Sequence, residues 1–453
     1  MVISDLWLPD KLVLVCHILS VLPLPAKLLL LGEYIWSAHP EQSSPMSVPS
    51  LRFLTFTYLA LPVYLFYLSW LTLYVGLPCT LLISGLLYQA LTEKTTEAPL
   101  PPLPRQALWL LGGLAFVLTL FSGTGQFSYQ TYDYWVHNAK IADLTAHTWP
   151  LFYQQTGQAV CYYFGYFLPI AFVAKWVGFA NVVSLVWTTA GMWLVLLWVY
   201  YLSGRSLMTV LLVTLFSTPL NTLCILSNYA SQGPDLNNID AINIPYSSLF
   251  PYMSFMKQLN WIPNQMIPAG LGVGVLLSDG FYWRKHLGIW LLLALLLYWS
   301  PFVSLGMGLL AAVVWLGRPL FWQWLRTPVG WANALLIVVA FLPMLAYFKC
   351  SNGLESRNFL WQIDTNWLRS YGVFVLGDVL ILAGLLWACR LETPYRPVLT
   401  GALLYMALVP LIRIGQWNDF YLRSTLPGLL VLGLAVGQAV WQAWQARQNG
   451  QHR

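Results

Sequence analysis

The stretch from Ser128 to Tyr153, SYQTYDYWVHNAKIADLTAHTWPLFY, is polar in an otherwise apolar chain, and it concentrates side chains able to move protons. Two aspartates, two histidines, a lysine and an asparagine fall within the fifteen residues from Asp133 to His147. On a helix, Asp133, His137 and Lys140 stand four and three residues apart and share one face, with Asp143 about a quarter turn away. A carboxylate with an imidazole one turn on, partly desolvated so that its basicity rises, suits general acid–base chemistry. Asp133 and His137 are therefore the candidate catalytic residues, with Asn138, Lys140 and Asp143 as candidates to bind substrate. The competing reading is a solvated helix between two apolar runs; the clustering, together with the polar segments below, favours a site.

Two further segments can close around it. The one after the apolar run 207–226 ends in Asn260, Trp261, Pro263, Asn264 and Gln265, just where the next run begins. Amides and flat aromatic rings suit a sugar, because hydroxyls need donors and acceptors while the C–H face stacks on an aromatic. Trp261, Asn264 and Gln265 are the candidate contacts of this kind, against the alternative of ordinary interfacial aromatics. Near the C-terminus, RIGQWNDFYLRS carries Arg413, Asn418, Asp419 and Arg423, which complete the candidate substrate-binding set. Asp419 and Arg423, four apart, can pair as helix neighbours. Arg413 ends an apolar run, where a guanidinium suits phosphate through parallel donors to two oxygens; snorkelling to headgroups is the competing reading. Lys349, Glu355, Arg357, Asp364 and Arg369 mark a third loop, partly a solvated face, one of whose cations can hold a second phosphate.

These segments need a scaffold. With 58% hydrophobic and 8% charged residues and a mean hydropathy of +0.64, the chain lies outside the range of soluble globular proteins. The expected fold class is all-α, a polytopic integral membrane protein. A span takes about 20 residues. The apolar runs 11–31, 53–75, 77–91, 107–122, 180–202, 207–226, 266–282, 287–300, 302–317, 331–348, 371–389, 397–414 and 425–446 then give about eleven to thirteen crossings. Cations near span ends stay cytoplasmic, and Lys94 with Arg105, Arg205, Arg284 with Lys285, Arg318 with Arg326, Arg390 with Arg396, and Arg447 with Arg453 mark that face. They fall on one side only if 158–178, QAVCYYFGYFLPIAFVAKWVG, lies in the interface instead of crossing. Loops 123–179, 227–265, 349–370 and 415–424 then all emerge on the opposite, extracytoplasmic face. Residues 1–100 read as an N-terminal transmembrane extension and 101–453 as the main domain. The first ten residues carry no positive charge, so a removable signal peptide is not expected. The net charge of +6 is spread thinly over loops, which points to membrane lipids and not to nucleic acid as the partner. Six cysteines, Cys16, Cys79, Cys161, Cys224, Cys350 and Cys389, show no CxxC pair and read as small hydrophobes without a redox or metal role.

The arrangement resembles the GT-C class of integral-membrane glycosyltransferases. In that class an early span is followed by a long external loop bearing an essential acid, then two interfacial helices, then a span ending in a cytoplasmic arginine. Here Ala107 to Ser122 plays the span and TYDYWVHNAKIADL the acidic helix. HTWPLFYQQTGQAVCYYFGYFLPIAFVAKWVGF plays the turn and second interfacial helix, and ANVVSLVWTTAGMWLVLLWVYYLSGR the returning span. The pattern covers residues 107 to 348. It departs in its preceding extension, in the lack of a second acid beside Asp133, and in having no sizeable soluble domain after the last apolar run.

The resemblance implies a GT-C-like catalytic domain in 101–453. Its reaction would be sugar transfer, with inversion, from a polyprenyl-phosphate donor to a glycan, lipid or protein acceptor on the outer face of a bacterial inner membrane. Asp133 matches the class's catalytic acid and would act as general base, with His137 orienting it or the acceptor; Arg413 and Arg423 would meet the departing phosphate. No metal-ligand set is read from the sequence, and a divalent cation as cofactor stays open. Two other enzymes fit the same external arginines, a lipid-linked polysaccharide polymerase and a ligase. From another class, a transporter or flippase of a glycolipid-like substrate would place ionisable residues near the midplane in related halves, and this chain shows little duplication. A structural subunit of a membrane complex is the third reading.

Overall fold

Without water inside a bilayer, backbone N–H and C=O groups must be satisfied within the chain, and helices do this segment by segment. A computed structural model of the chain describes residues 46–93, 102–153, 155, 157–232, 247, 249–250, 252–283, 285–317, 319–350, 357–389, 393–415 and 418–448, and these are largely α-helical. The run 11–31 lies outside them. α1 (Val48–Ser69) and α2 (Leu73–Thr92) form a first hairpin. Ser47 caps α1, accepting from Ser50 N at 3.2 Å, with a proline in the first turn where no donor is needed. α3 (Arg105–Leu120) leads through a 3-10 turn, Thr124–Gln126, to α4 (Asp133–Ala146), α5 (Phe167–Val177) and α6 (Ala180–Leu202). α7 (Leu207–Leu215), α8 (Pro219–Gln232) and the short α9 (Phe255–Trp261) precede α10 (Pro263–Leu277), which continues through a π-turn, Ser278–Trp283.

α11 (His286–Trp299) and α12 (Pro301–Leu316) meet at Ser300, whose Oγ accepts from Val303 N at 3.4 Å. α13 (Pro319–Leu325) and α14 (Pro328–Lys349) follow, the latter capped by Thr327. Then come β1 (Arg357–Phe359), α15 (Leu360–Ile363), α16 (Trp367–Phe374) and α17 (Ile381–Ala388), the last two joined by a π-turn, Val375–Leu380. α18 (Arg396–Leu408), β2 (Ile412–Ile414), α19 (Asp419–Ser424) and α20 (Leu426–Gln448) complete the chain. β1 and β2 pair antiparallel, Asn358 opposite Arg413.

By length and composition, six helices among the described residues can cross a membrane: Val48–Ser69, Leu73–Thr92, Ala180–Leu202, Pro328–Lys349, Trp367–Ala388 and Leu426–Ala446. A seventh is available if α7 and α8, bent by 81° at their junction, count as one span. The chain is thus an all-α protein with the make-up of a multi-pass membrane protein. α10 is its axis: every residue from Pro263 to Leu277 is buried, against α6, α11, α12, α20 and α1. The approach to α6 depends on Gly274, where a Cβ would run into the Trp198 indole. α1 and α2, on the N-terminal side of the boundary read at residue 100, pack into the same unit, against α6, α11 and α14.

The structure departs from the hydropathy reading in three places and, at 158–178, keeps to the expectation that the run does not cross. The run 207–226 is broken at Phe216–Thr218, where Leu220 N donates to Asp378 Oδ1 at 2.8 Å and Phe216 O accepts from Phe255 N at 3.2 Å, so the freed backbone has partners. The run 397–414 is helical only to Leu408; a 3-10 turn with Pro410 follows, then β2. Only Phe167–Val177 of 158–178 is helical; its 11 residues rise about 16 Å, short of a crossing. Finally, α1 starts before Arg52, which the sequence puts at a span boundary, and buries it. The guanidinium grips Asp279 with Nε at 3.0 and 3.2 Å from the two carboxylate oxygens and Nη2 at 2.7 Å from one; its Nη1 donates to Ala90 O at 2.7 Å.

The helices give the molecule two chemically distinct ends. At one, Arg52 and Asp279 lie beside Glu93, whose carboxyl is raised to about 7 by burial and by Asp279. Arg205 Nη2 donates to Pro102 O at 2.6 Å near Arg105, and His286 meets Phe321 edge-on and Trp324 at a tilt. At the other, Trp70 at the end of α1 meets Trp149 and Phe164 with ring centres 5.9 and 5.5 Å apart, and Gly165 N donates to Tyr298 O at 3.1 Å. The described parts of the polar segments around Thr131, Tyr162–Tyr163 and Asn260 meet toward this second end.

Candidate active site at the loop end

α4 is set in place by side chains around the end of α3. Gly123 and Gly125 adopt left-handed φ of 87° and 73°, which turns the chain back. Ser122 Oγ meets Thr124 Oγ1 at 2.9 Å, and that hydroxyl meets Tyr134 OH at 2.8 Å. Gln130 Nε2 donates to Gly123 O at 2.6 Å, and Asn138 Nδ2 to Gln130 Oε1 at 2.9 Å, so the Asn138 amide serves the helix's own support. From the other side, Thr131 Oγ1 donates to Asn260 O at 3.0 Å, and His137 Nε2 lies 3.0 Å from Trp261 O. A carbonyl only accepts, so Nε2 carries the proton. Burial, and then the Lys140 charge, holds His137 down to about 3, so the ring is neutral; its Nδ1 is buried with no hydrogen-bond partner.

Asp133, His137 and Lys140 do share a face. Burial raises the Asp133 carboxyl above the ordinary aspartate range; Arg423 pulls it back, Asp419 pushes it up and Lys140 pulls it back. Burial lowers Lys140 to about 7, with Asp133 favouring its charge and Arg423 opposing it. The Lys140 ammonium stands 3.8 Å from the Tyr162 ring centre and 5.3 Å from that of Phe167, a cation–π seat in a desolvated place. Tyr162 stacks on Tyr163 with ring centres 4.0 Å apart, and Gln265 Nε2 donates to Tyr163 OH at 2.9 Å. The Tyr162 hydroxyl is pushed up by burial and Tyr163, and both Arg423 and Asp133 act on it. Segments far apart in sequence thus meet around Asp133.

Arg423 comes from α19. Asn418, at φ 55°, caps that helix, its Oδ1 accepting from Ile414 N at 3.3 Å and Tyr421 N at 3.5 Å. Gly306 of α12 lets α19 lie close, since a Cβ there would collide with the Ser424 carbonyl. Arg423 Nη2 donates to Asp419 Oδ1 at 3.1 Å, while its Nε is buried with no hydrogen-bond partner. Asn260 Oδ1, Asn264 Oδ1 and Gln265 Oε1 are likewise buried and unsatisfied. An unmet buried polar atom costs about 1–3 kcal/mol. Together with His137 Nδ1, these acceptors and one cationic donor sit on the elements that meet at Asp133, and a ligand rich in hydroxyls, with an anion, would satisfy them.

Other candidates stand apart. Asp143 is exposed and off the shared face. Arg413 is half-buried on β2, and it is Arg423, not Arg413, whose charge bears on Asp133. Trp261 contributes its carbonyl to His137, and its ring centre lies 5.7 Å from Lys257 Nζ. Tyr162 and Tyr163 escape the sequence reading because CYYFGYF looks like one more apolar interfacial run; the adjacent tyrosines were the available signal. Among the described residues no group of three or more His, Cys, Asp or Glu side chains is placed to hold a metal ion. No known protein family, curated protein or solved structure matches the chain.

Proposed function

We propose that the chain is a membrane glycosyltransferase that moves a sugar, with inversion, from a polyprenyl-phosphate donor to an acceptor hydroxyl on the extracytoplasmic face of a bacterial inner membrane. The observation that carries this reading is the convergence of Asp133, Lys140, the Tyr162–Tyr163 shelf, Gln265 and Arg423 at one end of a helical bundle. Asp133 takes the proton of the acceptor hydroxyl, and its raised carboxyl is the better base for it. Arg423, with an unfilled Nε, and Lys140 face the phosphate as it gains charge on leaving, where fixed cations count most. Asn260, Asn264, Gln265 and His137 Nδ1 accept from sugar hydroxyls, and His137 acts through the placement of α4.

The order of α3, α4, α5 and α6, with α5 too short to cross, supports the resemblance to the GT-C class. Counting α7 with α8 as one span, and α10 and the shorter apolar helices α3, α11, α12 and α18 as crossings, brings the described residues to about twelve, within the expected range. The cation-rich end then faces the cytoplasm. The acceptor is a glycan, a lipid or a protein.

Asp133→Asn tests the role directly. Transfer of radiolabel from a polyprenyl-phosphate sugar should fall by about 10²–10⁴-fold, the usual worth of a general base, with donor binding retained; normal turnover would remove Asp133 from the role. The 81° break between α7 and α8 keeps a transport reading in play, since transporters use broken helices. Label transfer in detergent micelles, where no compartments exist, favours the enzyme; donor movement across vesicles without transfer favours the transporter.

A further inference from the structure

A single phenol ties the backbone around Cys161 to the end of α14, where Cys350 stands. Tyr347, in the last turn of α14, accepts from Tyr162 N at 2.8 Å, and its hydroxyl proton is shared by the Tyr162 and Val160 carbonyls at 2.9 and 3.2 Å. That clamps the backbone on both sides of Cys161. Cys350 follows Tyr347 by three residues, at the C-cap of α14; its thiol donates to Ala346 O at 3.6 Å, and it stands near enough to Cys161 to push that thiol up, after burial. Both are free thiols; Cys350 is exposed and Cys161 half-buried. The next residue, Tyr162, is the ring under the Lys140 ammonium.

We propose that Cys161 and Cys350 form a redox staple, closed by thiol–disulfide exchange, that pins the Tyr162–Tyr163 shelf to the end of α14. The oxidant is a disulfide, small or protein-borne. The exposed Cys350 thiolate attacks it, forming a mixed disulfide and releasing one thiolate. The Cys161 thiolate then attacks the Cys350 sulfur and releases the second. Two protein thiols are oxidised to one disulfide, one external disulfide is reduced to two thiols, and the two protons pass to the released thiolates. Closure in the cell rests on the outward orientation proposed above, since extracytoplasmic compartments are the oxidising ones; the pairing itself does not.

The test uses the intact wild-type protein in detergent, incubated with oxidised glutathione, alkylated, digested and mapped by mass spectrometry with and without reductant. A cross-linked peptide joining Cys161 to Cys350, two hydrogens lighter than its parts and lost on reduction, is the expected result. In Cys161→Ser, Cys350 should instead retain glutathione. Recovery of both wild-type cysteines as separately alkylated or glutathionylated peptides overturns the proposal, with buried Cys79, alkylated only after denaturation, reporting that the fold is intact. Acid-quenched cells alkylated before lysis give the second arm. The link found there supports the staple on the outer face. The link formed with glutathione but absent from cells overturns its closure in the cell and counts against the orientation, and leaves the pairing standing.

Discussion

Lys140 and Asp133 pull each other's titration in opposite senses, and a pH profile can read it. In the proposed reaction Asp133 is the base and Lys140 faces phosphate, so kcat/KM should climb as pH passes the raised pKa of Asp133. It should then fall as Lys140, lowered to about 7, loses the charge that faces phosphate. Lys140→Arg keeps its charge at any working pH and should carry the alkaline limb upward; an unmoved limb would take Lys140 out of the site. His137 supplies a second pH signature. Its folded value of about 3 lies below the ordinary 6.5, so the folded state binds fewer protons between them. Stability from this residue is complete above about 6.5 and drains as pH falls toward 3, by at most about 1.4 kcal/mol per unit. His137→Gln should flatten the acid side of a thermal-unfolding series in detergent, and an unchanged slope would contradict the neutral buried ring. At this scale the shared face of Asp133, His137 and Lys140 was legible, because four- and three-residue spacing dictates it. The Tyr162–Tyr163 shelf was not, because aromatic side chains in an apolar run look alike whether they meet lipid or a lysine.

Among the elements, α6 matches its run, Ala180–Leu202, because a long uncharged stretch with Arg205 just beyond it offers hydropathy nothing else to choose. α1 was started late since an arginine reads as the edge of a span until its partner is known, and Asp279 lies on another helix. Losing one member of such a buried pair costs about 3–5 kcal/mol, whereas replacing both with apolar groups can be neutral. Arg52→Met should therefore lower the melting temperature strongly, and Arg52→Met with Asp279→Leu should restore most of it. If the double variant melts as low as the single one, the ion pair is not what joins α1 to the end of α10. The seat of α19 is equally specific. Gly306→Val should displace Arg423 and weaken donor binding, while Gly308→Val, with nothing within 4 Å of the new Cβ, should leave it intact. Equal binding in both variants would mean that Arg423 does not depend on this approach. The break between α7 and α8 stayed hidden because hydropathy averages over a bend, and Asp378, which supports it, is far along the chain.

For the molecule as a whole, alternation of short cationic loops groups the loops by end from the sequence alone. What alternation cannot show is how close loops from separate helices come, since that depends on packing at glycines and on caps. In a cysteine-free variant, a thiol at exposed Ala142→Cys should react with a membrane-impermeant maleimide added outside cells, and one at exposed Thr92→Cys only after permeabilisation. The reverse pattern would put the loop end in the cytoplasm. The Arg52–Asp279 contact also bears on biogenesis, because the two residues are 227 positions apart. At about 5–20 residues per second, synthesis leaves the guanidinium without its carboxylate for tens of seconds while intervening helices are laid down. During that interval the first hairpin must keep Arg52 at the headgroup layer by snorkelling, and it can settle to its final depth only when the segment bearing Asp279 arrives. Assembly of the bundle therefore has a late step that pulls its earliest described helix inward.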